Sequence, residues 1–277
     1  MPAIKAVIFD WAGTMVDFGS RAPVAAMRIV FGEAGVPICD EVIRRYMGRA
    51  KREHVVAILS EHSVAARWRA AHGAAWAETD VDTLMEALEP AMLREASAMA
   101  ELVPGALHTV RELGDAGIRI GSTTGYTRTM MAGILPRAAS QGYSPEVTVC
   151  AGETAAGRPA PLMVWKALVE LGVWPASAVV VVDDAPVGAE AGRHAGCWTV
   201  GVAASGNGLG LSRDEYDALP PTERMTRLKR IADDFAAAGT DVVVPTVAEL
   251  SRALAIIERR CAANEGPGSE CCAIELG

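Results

Sequence analysis

The sequence predicts an α/β protein, a Rossmann-like doubly wound parallel sheet core with an inserted all-helical cap domain. Three observations carry this prediction. Short apolar, β-branched runs recur along the chain, amphipathic helical stretches separate most of them, and the interval from about 19 to 99 shows helical patterning alone.

In order, the runs are Ala6–Phe9, Ile118–Gly121, Val147–Val149, Val179–Val182, Trp198–Val202 and Asp241–Val244. They are nearly continuous in apolar character, as strands covered on both faces are. Helices are expected over Pro104–Ala116, Thr127–Gln141 and Pro161–Leu171, with Gly117, Gly142 and Gly172 as stops. The resulting division is 1–20 and 101–260 for the core, 21–100 for the helical cap, and 261–277 for a compositionally loose, flexible tail. Two crossings, near 19–22 and 99–103, join cap to core and suit a hinge.

Composition narrows the function. The chain has 277 residues, a formal net charge of −8 and 5 % aromatic residues. A broad cationic surface for nucleic acid or anionic lipid is therefore not expected, and neither partner is predicted. The apolar stretch before Asp10 is too brief for a signal peptide or a membrane span, which predicts a cytoplasmic protein. The six cysteines, Cys39, Cys150, Cys197, Cys261, Cys271 and Cys272, have neither zinc-ligand nor redox spacing and are read as reduced thiols.

The chemistry is expected at strand ends. Asp10 directly follows the first run and would stand at the carboxyl end of a parallel strand, where open α/β sheets bind ligands. Thr123-Thr124-Gly125 follows the second run, Arg158 precedes a helix, and Asp183-Asp184 follows the fourth run. A nucleophilic carboxylate, donors for phosphoryl oxygens, a cation and a metal carboxylate together form a phosphoryl-transfer set.

These four elements resemble the motifs of the haloacid dehalogenase superfamily, matching Asp10, Thr124, Arg158 and Asp184. Superfamily phosphatases carry Asp-x-Asp at the first motif, the second Asp acting as general acid. Here the motif reads Asp10-Trp11-Ala12. The sequence is more closely similar to the phosphonoacetaldehyde hydrolase family, to about residue 258. The shared motifs are Val7–Thr14, Met47-Gly48 with Lys51 and His54, Gly121–Arg128, Ala156–Pro159 and Trp198–Gly201.

That resemblance implies an enzyme that cleaves the C–P bond of phosphonoacetaldehyde to acetaldehyde and phosphate, in 2-aminoethylphosphonate degradation. It implies Asp10 as nucleophile, Lys51 as the amine that forms an imine with the aldehyde, and His54 as a proton-transfer group. Met47, Gly48, Thr124, Gly125, Tyr126 and Arg158 would contact substrate. Mg2+ would be held by the Asp10 and Asp184 carboxylates and the Ala12 carbonyl; whether Asp183 supports the metal or caps a loop is left open. Family members are typically homodimers. A phosphomonoesterase or phosphomutase of the same superfamily, or a non-catalytic member, are the alternatives.

Overall fold

The structure, a computed structural model, describes residues 4–268 and 272–276. Among these, seven strands form one parallel sheet: β1 (Ala6–Phe9), β2 (Arg119–Thr124), β3 (Val147–Cys150), β4 (Val179–Asp183), β5 (Trp198–Val202), β6 (Val242–Val244) and β7 (Ala273–Ile274). Their order is β3-β2-β1-β4-β5-β6-β7. The chain winds outward from β1 in both directions, so β1 and β4 flank the point where the order reverses, and a crevice opens at their carboxyl ends.

Alternate strand residues serve opposite faces. Ala6 and Ile8 pack with Met163, Val164 and Ala167, whereas Val7 and Phe9 join a second cluster with Val180 and Val182. All four residues of β1 are buried, as helices on both faces require.

Six helices lie between β1 and β2, the first five being α1 (Ala22–Glu33), α2 (Asp40–Arg44), α3 (Lys51–Ser60), α4 (His62–His72) and α5 (Glu78–Ala98). The two crossings pair with each other, since Asp17 N donates to Glu101 O at 3.1 Å and Val103 N to Met15 O at 2.8 Å. Asp17 then caps α1, its two carboxylate oxygens accepting from Arg21 N at 3.0 Å and Ala22 N at 2.8 Å.

The remaining helices are α6 (Ala106–Asp115), α7 (Arg128–Met131), α8 (Ile134–Ser140), α9 (Leu162–Leu171), α10 (Pro186–His194), α11 (Arg213–Ala218), α12 (Pro221–Ala237) and α13 (Leu250–Ala262). The single helix expected over Thr127–Gln141 is broken into α7 and α8. Pro136 explains the break, because it has no N–H to donate to the Ala132 carbonyl of a continuous helix. At Gly133 a β-carbon would lie 1.8 Å from Ser97 Oγ, so α5 also presses directly on the break.

Thr123 and Thr124, expected to follow the second strand, are instead its last residues. The segment read as a loose tail carries β7, with Ala273 N donating to Asp241 O at 2.9 Å and Glu275 N to Val243 O at 2.8 Å. Cys271 lies outside the described residues; Cys39, Cys150, Cys197 and Cys261 are free thiols. No described helix is long and apolar enough to cross a membrane.

Candidate active site

Asp10 is the first residue beyond β1, and its N–H donates to Val182 O at 2.9 Å, which seats it beside the end of β4. Asp183 ends β4 and Asp184 follows. Each of the three carboxyl groups is buried and offers an oxygen within 4.8 Å of the other two. Burial, joined by mutual repulsion at Asp183 and Asp184, pushes all three above the usual carboxylate range, Asp183 to about 7. Three crowded oxygen donors of this kind fit a hard divalent cation.

Arg158 is the counter-ion on hand. Its Nη2 lies 2.8 Å from Asp10 Oδ1 and 3.2 Å from Asp183 Oδ2, and donates to Thr123 O at 3.0 Å and Thr123 Oγ1 at 2.9 Å. Burial works against its charge, but the flanking Asp183 and Asp10 carboxylates outweigh that and raise its pKa.

Asp183 therefore faces Arg158 with one oxygen, while its other oxygen caps the turn by accepting from Ala185 N at 3.0 Å. A β-carbon at Gly188 would lie only 1.9 Å from Asp183 Oδ2. The Asp183 carboxylate fills the space into which a side chain at residue 188 would project.

The helical insert supplies the opposite wall. Lys51 opens α3 and is buried, its Nζ 4.9 Å from the centre of the Tyr126 ring. Burial pulls its pKa down to about 8, against the attraction of Asp10. Lys51, Met47 and Gly48 line one cleft with Asp10, Ala12, Asp184, Thr124, Gly125, Tyr126 and Arg158. Burial holds the Tyr126 phenol protonated, and its hydroxyl has no partner among the described residues.

Two glycines make this approach possible. A β-carbon at Gly125 would stand 2.5 Å from Arg49 O, and one at Gly48 would stand 2.6 Å from Val187 Cγ1. Gly48 also has φ +88°, a left-handed conformation that other residues rarely adopt. Its close approach is to the core turn at Ala185 and Val187.

His54 sits one turn along α3 from Lys51 but is not on the cleft wall. Its Nε2 lies 2.7 Å from Ile43 O and must carry the proton to donate there, leaving Nδ1 unprotonated and without a partner among the described residues. Burial and then the Lys51 charge press its pKa down to about 3, so the ring is neutral.

Sequence reasoning missed Ser20 and Arg49, both on the cleft wall, and Asn207, whose N–H donates to Asp184 Oδ2 at 2.7 Å. Asn207 lies in Ser205-Gly206-Asn207-Gly208-Leu209-Gly210 just after β5. A glycine-rich stretch at the carboxyl end of a predicted strand was the available signal.

A doubly wound sheet with a strand-end carboxylate, an acidic cluster and a helical insert over the cleft fits a haloacid dehalogenase-like hydrolase, and the chain belongs to that family, whose model matches residues 4–196. Within it, the relatives are phosphonoacetaldehyde hydrolases. The chain is 43 % identical over 267 residues to the phosphonoacetaldehyde hydrolase of Paraburkholderia xenovorans (strain LB400), covering 96 % of this chain and 100 % of the relative. It is 37 % identical over 257 residues to that of Bacillus cereus (strain ATCC 10987 / NRS 248), covering 93 % and 97 %. The crystal structure of a phosphonoacetaldehyde hydrolase-like protein from Oleispira antarctica superposes with a TM-score of 0.94 at 37 % identity, over 96 % of each chain. A β-phosphoglucomutase from Clostridium difficile shares the fold, with a TM-score of 0.67 at 16 % identity.

Proposed function

We propose that the protein hydrolyses phosphonoacetaldehyde to acetaldehyde and phosphate through a Lys51 imine and an aspartyl phosphate at Asp10. The observation that carries this reading is the buried Lys51 amine on the same cleft as Asp10, in a chain with Ala at position 12.

Breaking a carbon–phosphorus bond leaves an electron pair on carbon, and an acid two residues past the nucleophile would have no alkoxide to protonate. Neutral Lys51 condenses with the aldehyde and releases water. The Asp10 carboxylate attacks phosphorus, the C–P electron pair moves into the protonated imine to give an enamine, and phosphorus becomes bonded to Asp10. Protonation on carbon and hydrolysis free acetaldehyde from Lys51, and a second water cleaves the aspartyl phosphate.

A pKa near 8 leaves part of Lys51 uncharged at neutral pH, which condensation requires. Arg158 offsets the charge of Asp10 and an incoming phosphonate, and Thr124 and Gly125 stand at the strand end as donors to phosphonyl oxygens. His54 lies one turn along α3 from Lys51 with Nδ1 open, and since it is off the cleft wall we assign it proton transfer to and from the Lys51 nitrogen rather than contact with substrate. Mg2+, held by the Asp10 and Asp184 carboxylates and the Ala12 carbonyl, would supply charge neutralisation for the phosphonate.

The same reading places residues 21–100 as a cap that closes on the core, and the enzyme as a cytoplasmic homodimer in 2-aminoethylphosphonate degradation. Sedimentation of the purified chain tests the dimer. The decisive assay is phosphate release with and without borohydride. Substrate-dependent borohydride inactivation, absent in Lys51→Ala, is expected; phosphate release that survives in Lys51→Ala or Asp10→Asn defeats the mechanism. Preference for a sugar phosphate over the phosphonate would favour a phosphomonoesterase.

A further inference from the structure

Arg44, the last residue of α2, does not itself line the cleft, yet its guanidinium ties three parts of the molecule together. Nη1 donates to Gly19 O at 3.0 Å, to Ser20 O at 3.4 Å and to Asn207 Oδ1 at 3.1 Å, while Nη2 donates to Gly210 O at 3.1 Å. Asn207 returns a bond, its Nδ2 donating to the Arg44 main-chain O at 2.9 Å. The arginine belongs to the helical insert, Gly19 and Ser20 to the first crossing, and Asn207 and Gly210 to the loop after β5.

The loop leads directly to the acidic cluster. Asn207 N donates to Asp184 Oδ2 at 2.7 Å, and Ser205 Oγ donates to Gly13 O at 2.6 Å beside the nucleophile turn. The backbone fits closely along this path: a β-carbon at Gly206 would lie 2.7 Å from Asp184 Cβ, and one at Gly210 would lie 2.7 Å from Arg44 Cζ. The side chain of Asn207 thus takes its position from the insert, and its backbone N–H fixes a carboxylate of the core.

We propose that Arg44 and Asn207 form a latch that orients Asp184 when the helical insert sits on the core, so that the metal-binding carboxylate is set only in the docked arrangement. Both are positioning residues. When the insert withdraws, Arg44 leaves with it, Asn207 loses both side-chain partners, and the donor to Asp184 is no longer held. A planar, forked cation suits the task, because one guanidinium reaches carbonyls on two separate segments at once. The proposal rests on the assignment of residues 21–100 as a moving cap and of Asp184 as a metal ligand.

The test compares full-length wild type, Arg44→Ala, Arg44→Lys, Asn207→Ala and the double alanine variant. Mg2+ binding is read by calorimetry, amide hydrogen exchange over 17–22 and 205–211 is followed without substrate, and phosphate release is measured alongside. Asn207→Ala keeps the backbone N–H and removes only the link to Arg44. Each single alanine variant is expected to weaken Mg2+ binding by about 10- to 100-fold, the usual cost of losing a group that orients a metal ligand. Exchange should quicken in both segments, and Arg44→Lys should recover part of the loss. Because the two residues act through one path, the double variant should lose no more than about threefold beyond the worse single variant.

Unchanged Mg2+ affinity in both single variants, or losses that multiply in the double variant, would overturn the latch. If Arg44→Ala does not fold, Asn207→Ala and Arg44→Lys carry the same comparison. A wild type that releases no phosphate from phosphonoacetaldehyde but loses Mg2+ in this coupled pattern keeps the latch and removes the substrate assignment.

Discussion

A lysine with a pKa near 8 in the folded protein and 10.5 in the free side chain binds fewer protons folded than unfolded between those limits. Stability should therefore rise with pH across that window, and below pH 8 the charged, buried amine works against folding. Lys51→Met is expected to stabilise the protein at pH 7 by on the order of 3 kcal/mol while abolishing turnover. Urea melts should show that gain fading as the pH climbs from 8 toward 10.5. In the wild type, kcat/KM should fall about tenfold per pH unit well below 8, as the neutral amine is lost. A second residue-scale prediction concerns Asp183 and Gly188, one of which must lack a side chain because both project into the same space. Gly188→Asp should lower phosphate release by about 100-fold, within the range for displaced catalytic groups, by pushing Asp183 off Arg158. Adding Asp183→Gly should restore part of it, and a double variant worse than Gly188→Asp would show that the two positions are not interchangeable.

At the scale of elements, the break between α7 and α8 puts Gly133 against Ser97 of α5, so the packing of the insert on the core depends on a missing side chain. Gly133→Ala is expected to cost about 1–3 kcal/mol, the usual range for overpacking, read from the midpoint of urea denaturation. The break was hard to foresee, since Pro136 also suits the first turn of a helix and the apolar pattern runs through it. The strands were more readable: Val179–Val182 is one unbroken β-branched run, and the structure extends it only by Asp183. In β2 the prediction stopped at Gly121 because Ser122, Thr123 and Thr124 are polar. They are buried all the same, with Ser122 Oγ donating to Thr148 Oγ1 at 2.9 Å and Thr123 Oγ1 accepting from Arg158. Polar residues in a strand gave no apolar signal, and only the paired partners reveal why they are there.

Across the whole molecule, three buried carboxyls with raised pKa values make stability depend on pH and on the cation. Asp183 titrates near 7 when folded and near 3.8 otherwise, so the folded state holds more protons across that interval. Without a divalent cation, stability should fall as the pH rises from about 4 to 7. Mg2+ at about 100 times its dissociation constant at pH 8 should add about 2.7 kcal/mol there, or about 5–10 °C in Tm, and the same Mg2+ concentration should add less at pH 5, where the carboxyls hold protons. A thermal melt that ignores Mg2+ at pH 8 would contradict this. The doubly wound core and the strand-end residues Asp10, Thr124, Arg158 and Asp184 were legible because each lies close to an apolar run or a helix start. Arg44 and Asn207 were not, since their pairing spans 163 residues and depends on how the insert lies on the core. His54 was singled out by its spacing from Lys51, but spacing along one helix does not say which groups reach a cleft.

Because the Lys51 amine comes from the insert and the Asp10 carboxylate from the sheet, a substrate reacting by the proposed route, condensed with Lys51 and held at Asp10, would bridge the two halves. Severing carbon from phosphorus would cut that bridge at its middle, leaving the two-carbon fragment on one half and the phosphoryl group on the other. The bond-breaking event would then untie the molecule as well, freeing each half to shed its fragment to water.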